Sequence, residues 1–375
     1  MFDAIAGQEA LRARFARQLA EGSVAHACLL VGREGLGKTA FARELGAALV
    51  APCGGCGGCP ECERARRGLH PDVHIVEREG DVIRVEQVQP ILADLALKPF
   101  GCGRRVWIVP EVETLHVAAA NKLLKTIEEP PPDVHFLLIS DHLERVLPTI
   151  VSRCQVVEFR PLSNADIAEH LRNVHSLPDL EVETMSRLAG GSIERAERLL
   201  ADARGPNRRR TYLDVARTLV GGGREAESAA HDYIAVLADH QKEIKTACQN
   251  DLQRRLVELE SQFQEKRELK WRQEAATARQ RRQEVRACRA AALDALDVLA
   301  SWVRDLWVVT CGAREVLCNS DREAELCAAA VAGSDYYARL LAVLSQTRKE
   351  LSLNIDQKLA FKALFAHFEE VAESA

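Results

Sequence analysis

Aromatic residues are scarce: phenylalanine, tyrosine and tryptophan make up 5% of the 375 residues. Alanine and leucine abound instead, so helix is expected to dominate. No run of about 18 apolar residues occurs, which argues against a membrane-spanning helix. The opening Met1-Phe2-Asp3 has neither the basic nor the apolar region of a secretory leader, so a cytoplasmic setting is expected. Neither sign of charge prevails, because 50 Lys and Arg face 55 Asp and Glu for a formal charge of −5. That balance excludes a global pull toward nucleic acid, leaving any DNA contact to a local patch or to partner chains. Cysteine is not in short supply, with twelve in the chain. In a reducing setting they read as thiols or metal ligands rather than disulfides. A 47% hydrophobic, 28% charged chain of this length is ordinary globular material and too long for one core, so two or three domains are expected.

The richest stretch is Gly32-Arg33-Glu34-Gly35-Leu36-Gly37-Lys38-Thr39, a complete G-x-x-x-x-G-K-[ST] phosphate loop. The apolar run Ala27–Val31, which His26 opens, reads as a buried strand before it, and Ala40–Val50 as a helix after it. In that context the glycines turn backbone N–H groups toward a phosphate chain, with a helix N-terminus behind them. Lys38 would reach the terminal phosphates of ATP, and the Thr39 hydroxyl would ligate Mg²⁺.

Cys53, Cys56, Cys59 and Cys62 follow at a strict three-residue spacing, as overlapping C-x-x-C pairs among glycines. Four thiolates suit tetrahedral Zn²⁺ and close its coordination, which makes a structural rather than a catalytic site. An iron–sulfur cluster, a redox pair and an unliganded loop are the alternatives. The usual cluster run ends in C-x₃-C-P, whereas the last gap here is two residues, and a redox pair needs only two thiols.

Further strands are expected at 82–85, 105–109, 135–140 and 155–159, alternating with helices at 8–21, 86–97 (Val88, Ile91, Leu92 and Leu95 inward) and 118–128, the last stopped by Pro130-Pro131-Pro132. The alternation predicts an α/β domain with a parallel sheet and helices on both faces. In nucleotide hydrolases of this layout the strand at 105–109 ends in Asp-Glu, the Asp holding Mg²⁺ through water and the Glu orienting the attacking water. Here it ends in Pro110-Glu111. Glu111 stands where the water-positioning acid would be, or is simply a solvated loop acid, and the metal-binding acid is gone. Ser140, the last residue of its strand, is expected to point from the sheet's C-terminal edge, where such sheets bind ligands.

Several phrases together resemble the clamp-loader branch of the AAA+ ATPases: Phe2–Gln8, the phosphate loop, the cysteine cluster, His70-Pro71-Asp72, Asn121–Pro130 and Ser152-Arg153-Cys154. The likeness is dense over residues 1–200 and thin afterward. It implies a P-loop AAA+ domain at 1–161 carrying a zinc module at 53–62, a helical lid at 162–205 and an all-α oligomerisation collar at 206–375. It also implies a hetero-oligomer with gamma/tau-type and delta-type clamp-loader subunits, working on a sliding clamp and primed DNA in replication. Arg153 would then reach a neighbouring subunit's ATP, where a guanidinium neutralises charge on the transferred phosphoryl group. Three departures qualify the match. Pro110 replaces an Asp, Glu194 takes the place of an arginine after Gly191-Ser192, and Cys53 lies closer to Cys56 than the family's first two cysteines usually do. The first two imply ATP binding with little hydrolysis, against the alternatives of an active gamma-type ATPase or a repair ATPase acting alone.

Beyond residue 162 the sequence reads as helix. Ser163 and Asp166 form a capping box for a helix to Val174, with further helices at 180–188 and 193–203. Gly205-Pro206-Asn207 reads as a boundary and 220–224 as a loop. Ile244, Cys248, Leu252, Leu256, Leu259 and Phe263 form one apolar stripe, which fades into a segment at 264–289 rich in Lys and Arg around Trp271. This arm, at about 225–290, reads either as a solvated helical hairpin or as a DNA- or partner-contacting projection, and charge alone favours the former. The markedly apolar 291–309 should be the core of a bundle, joined by helices at 336–346 and 356–370. Leu353-Asn354-Ile355-Asp356 resembles the entry to the family's closing helix. Cys288, Cys311, Cys318 and Cys327 are too scattered for a ligand set.

Overall fold

The computed structural model describes residues 1–375 except 1, 3, 4, 6, 77, 79–81, 95–98, 100–102, 203, 222, 223, 263–265, 353, 354, 374 and 375. Leu95, the Gly222-Gly223 pair, Phe263 and Leu353-Asn354 therefore lie outside the described residues, as does the Trp271 side chain. The chain divides into two compact units, Met1–Ala201 and Asp202–Ala375.

The first unit runs α1 (Glu9–Ala20), β1 (Ala27–Val31), α2 (Lys38–Val50), α3 (Pro60–Arg66), β2 (Val73–Ile75), α4 (Val85–Asp94), β3 (Arg105–Val109), α5 (Val117–Glu128), β4 (Val134–Ser140), α6 (Pro148–Val151) and β5 (Gln155–Glu158). Three helices close it: α7 (Asn164–Val174), α8 (Asp179–Leu188) and α9 (Ile193–Ala201). The five strands make one parallel sheet in the order β2-β3-β4-β1-β5. This is the α/β nucleotide-domain architecture expected from the sequence. Strands β1 and β3 are buried along their whole length, the mark of a parallel strand covered on both faces. One face packs Phe15, Phe41, Leu45 and Phe159, and the other Ile83, Val88, Leu123 and Phe136. The Ser163–Asp166 capping box is present as read, and α7–α9 enclose a small core of their own around Ile167, Leu171 and Val182.

One expected strand is absent. Residues 82–85 contribute only an isolated bridge between Ile83 and Leu115, and Val85 already begins α4. The Arg84 N–H donates to the Gln87 side chain at 2.7 Å, half of a capping box, which draws the backbone into a helix one residue early. The strand beside β3 is instead β2, from Val73 to Ile75, a three-residue element too short to declare itself by alternation.

The second unit is all helix: α10 (Gly205–Gly221), α11 (Arg224–Gln262), α12 (Lys266–Thr310), α13 (Glu323–Ala329), α14 (Ser334–Ser352) and α15 (Gln357–Glu373). Gly205-Pro206-Asn207 forms the first turn of α10 rather than a break, where proline's missing N–H is not needed. Trp302, Tyr233, Tyr337 and Phe361 are fully buried at the centre. The charged arm is a pair of long packed helices, α11 and α12. Gln241 donates to the Cys288 carbonyl at 3.3 Å, and Gln280 to the Cys248 carbonyl at 2.8 Å. Among the described residues no helix is long and apolar enough to cross a membrane.

Candidate nucleotide site and cysteine cluster

The phosphate loop springs from the buried end of β1 and runs into the first turn of α2. Gly32, at φ +147°, passes so close to the Phe159 carbonyl that a Cβ would lie 2.7 Å from it. Gly35, at φ +80°, leaves no room for a Cβ beside the Ser192 hydroxyl. Both conformations are open to glycine and strained for other residues. Gly37 caps α2 with φ +82°, Leu36 is buried beneath the loop, and Thr39 is exposed at the helix start. The loop thus presents the N-terminus of α2, where backbone N–H groups without helical partners attract anions.

Lys38 is 4% exposed and lies back over the loop that carries it. Its Nζ donates to the carbonyls of Gly32 at 2.6 Å and Arg33 at 2.7 Å, and pairs with Asp141 Oδ1 at 2.8 Å. Asp141 follows Ser140 at the end of β4, and Ser140 sits in register with Val31, the residue before the loop. Ser140 is fully buried rather than pointing out of the sheet. Its hydroxyl accepts from the His142 N–H at 3.0 Å. The Ser140 side chain and the Asp141 backbone act on the nearby Glu113 carboxyl to lower its pKa. Burial nevertheless pushes the Glu113 carboxyl above its ordinary value, the like charge of Asp141 adding to it.

Glu111 is turned elsewhere. Its backbone is left-handed at φ 53°, its carbonyl accepts from the Thr114 hydroxyl at 2.8 Å, and its carboxylate pairs with Arg78 at 2.8 Å. The Ser192 hydroxyl, at the start of α9, donates to the Gly35 carbonyl at 2.7 Å, and Glu194 lies beside that glycine. Lys38, Ser140, Asp141, Glu113 and the loop therefore form one cluster. Sequence reasoning named neither Asp141 nor Glu113. Their contacts join residues more than 25 positions apart, and no local motif marks them. Arg153 stands apart on the surface after α6, its Nε paired with Glu128 at 2.5 Å and its guanidinium donating to the Thr149 carbonyl.

The four cysteines of the loop between α2 and α3 converge, all four sulfurs lying within 4.8 Å of one another. Cys53 Sγ is 3.5 Å from Cys59 and 3.4 Å from Cys62, so the cysteine that departs from the family spacing still joins the group. A tetrahedral metal with Zn–S bonds of about 2.3 Å sets its sulfurs about 3.8 Å apart, and the donor set fits. The Cys56 N–H donates to Cys53 Sγ and the Cys62 N–H to Cys59 Sγ, at 3.4 and 3.5 Å. The first of these bonds leads the effects that draw the Cys53 thiol down to about 6, while burial pushes Cys62 up to about 12. Arg66 ties the loop down, donating to the Gly57 carbonyl at 2.6 Å and pairing with Glu44 of α2. This cluster can hold a metal ion.

The N-terminal half of the chain is similar in sequence to known proteins. Residues 7–163 match the family model described as DNA polymerase III, delta subunit. Among curated relatives, DNA polymerase III subunit delta' of Pseudomonas aeruginosa is 38% identical over 185 residues, 47% of this chain and 56% of its own. The delta' subunit of Bacillus subtilis is 34% identical over 151 residues, covering 40% and 46%. DNA polymerase III subunit gamma of Buchnera aphidicola (from Acyrthosiphon pisum) is 32% identical over 215 residues, covering 54% and 58%. The chain spans about half the length of these curated relatives. The resemblance read from the phosphate loop, Asn121–Pro130 and Ser152-Arg153-Cys154 thus falls within the matched family region.

Proposed function

We propose that the chain is a delta-prime-type subunit of a DNA polymerase III clamp loader, working in the cytoplasm within a hetero-oligomer of gamma/tau-type and delta-type subunits that places a sliding clamp on primed DNA. In this reading it holds ATP and Mg²⁺ at Gly32, Gly35, Leu36, Gly37, Lys38 and Thr39. It turns ATP over weakly, and Arg153 acts in trans on a neighbour's ATP. Cys53, Cys56, Cys59 and Cys62 would hold a structural Zn²⁺ that folds a loop with little apolar substance of its own. The observation that carries the reading is an intact phosphate loop opposite a β3 strand that ends in Pro110, within a family of clamp-loader subunits.

At that strand end the metal-binding acid is missing, and the Glu111 carboxylate is engaged by Arg78. A loop so equipped retains phosphate affinity but lacks the groups that orient an attacking water. Ser140, buried and accepting from the His142 N–H, would position the β4 tip rather than touch the nucleotide. The second reading, an active gamma-type ATPase, draws on the gamma relative. Reconstitution with a gamma-type ATPase, a delta-type subunit and a sliding clamp decides between them. The proposal expects a stable complex and negligible ATP turnover by the isolated chain. Brisk turnover that Lys38→Ala abolishes would establish the second reading in its place.

A further inference from the structure

An ammonium group has three hydrogens to donate. Those of Lys38 face three acceptors: the Gly32 and Arg33 carbonyls and the Asp141 carboxylate. The two carbonyls belong to the loop itself, so those contacts are part of its fold. The third acceptor comes from another strand and carries a charge. At 2.8 Å from an ammonium that is 4% exposed, it occupies the side of Lys38 that a phosphate oxygen would need. Asp141 stands between two tied neighbours, because the His142 N–H donates to the buried Ser140 hydroxyl at 3.0 Å. It is thus an anion set at the tip of β4, directly against the ammonium.

We infer that Asp141 is an internal stand-in for phosphate, which nucleotide must displace from Lys38 before the loop can close on a triphosphate. This rests on the reading of residues 32–39 as a nucleotide site and deepens it. The ligand class is a nucleoside triphosphate with its β- and γ-phosphate oxygens at Lys38. The Asp141 contact lowers the apparent affinity by the fraction of molecules in which Lys38 is free, so the residue sets how readily the site fills. Pairs between an ammonium and a carboxylate in a poorly hydrated place are strong enough for the effect to be measurable.

Equilibrium binding of ATP with Mg²⁺ to the full chain tests this, with Lys38→Ala, Asp141→Asn, Asp141→Ser and Glu144→Gln beside the wild type. Glu144 is 72% exposed and lies three residues from Asp141, paired with His142, so its variant removes the same charge without touching Lys38. Asp141→Asn and Asp141→Ser are expected to bind about tenfold more tightly than the wild type. Glu144→Gln should match the wild type, and Lys38→Ala should not bind. If Lys38→Ala abolishes binding while neither Asp141 variant tightens it, the inference is wrong and the nucleotide site stands. Equal tightening by Glu144→Gln would reduce the effect to general charge and also overturn it. If neither the wild type nor the Asp141 variants bind, the nucleotide reading falls and takes the inference with it.

Discussion

The two units hold their polar groups for opposite purposes. In the first, polar side chains gather where a ligand or a metal could be held. Lys38 is buried against an anion, Gly35 is too cramped for a side chain, and four thiols crowd into one loop. In the second, the most buried charge serves the scaffold. Asp305 is inaccessible and accepts from the Cys318 N–H at 3.0 Å, the Asn319 N–H at 2.7 Å and the Asn319 side chain at 2.9 Å, pinning the loop after α12 to its helix. The contrast teaches that burial of a charge does not by itself mark a working site. A partner that a ligand could replace does, and Asp141 on Lys38 is such a partner whereas the backbone N–H groups on Asp305 are not.

If the contrast is right, changes in the second unit should cost global stability, and changes in the first should cost metal or nucleotide binding, assembly or local order. The largest loss is expected from Trp302→Ala, which empties the centre of the helical core. About 3–5 kcal/mol of stability should go, read by denaturant unfolding. A loss under about 1 kcal/mol would mean the core lies elsewhere. Asp305→Ala leaves two buried donors and one part-buried donor without this acceptor and should cost about 2–4 kcal/mol in the same measurement, with nucleotide binding unchanged. A smaller and local effect is expected from Cys59→Ser. Elemental analysis of the unaltered chain is expected to find one metal ion per chain, and Cys59→Ser should lose it and open residues 51–70 to protease, leaving the helical unit's protection intact. Finding iron instead of zinc would refute the proposed metal. Smallest of all is the stability effect of Arg153→Ala. Its pair with Glu128 is 38% and 43% exposed, so the change should stay below about 0.5 kcal/mol. ATP turnover by the assembled complex should fall sharply all the same, and unchanged turnover would remove the trans role.

What could be read from sequence follows the same division. The phosphate loop and the cysteine spacing are contiguous, so their chemistry is written in adjacent letters. The sheet came through in four of its five strands because β1, β3 and β4 are buried runs of apolar residues and β5 is rich in valine. The fifth was misplaced. Ile83-Arg84-Val85 has strand-like residues, but Gln87 caps a helix there, and the three-residue β2 carries too little pattern to compete. The partners of the phosphate loop stayed hidden for another reason. Asp141 and Glu113 reach Lys38 and Ser140 through the parallel register of β1, β3 and β4, which no local spacing encodes. Glu194 was noticed for what it replaces, whereas the hydroxyl beside it, Ser192, is what fastens the Gly35 carbonyl. In the helical unit, periodicity located the long helices, and the buried carboxylate of Asp305 had no signature at all.

The pairing of α11 with α12 makes a lever. From Cys248, where a glutamine from α12 still grips the backbone, α11 runs on to Gln262, about 21 Å at the rise of an α-helix. A pivot of about 10° near Cys248 therefore swings the far end by about 4 Å, so a small tilt at the root becomes a displacement the width of a side chain at the tip.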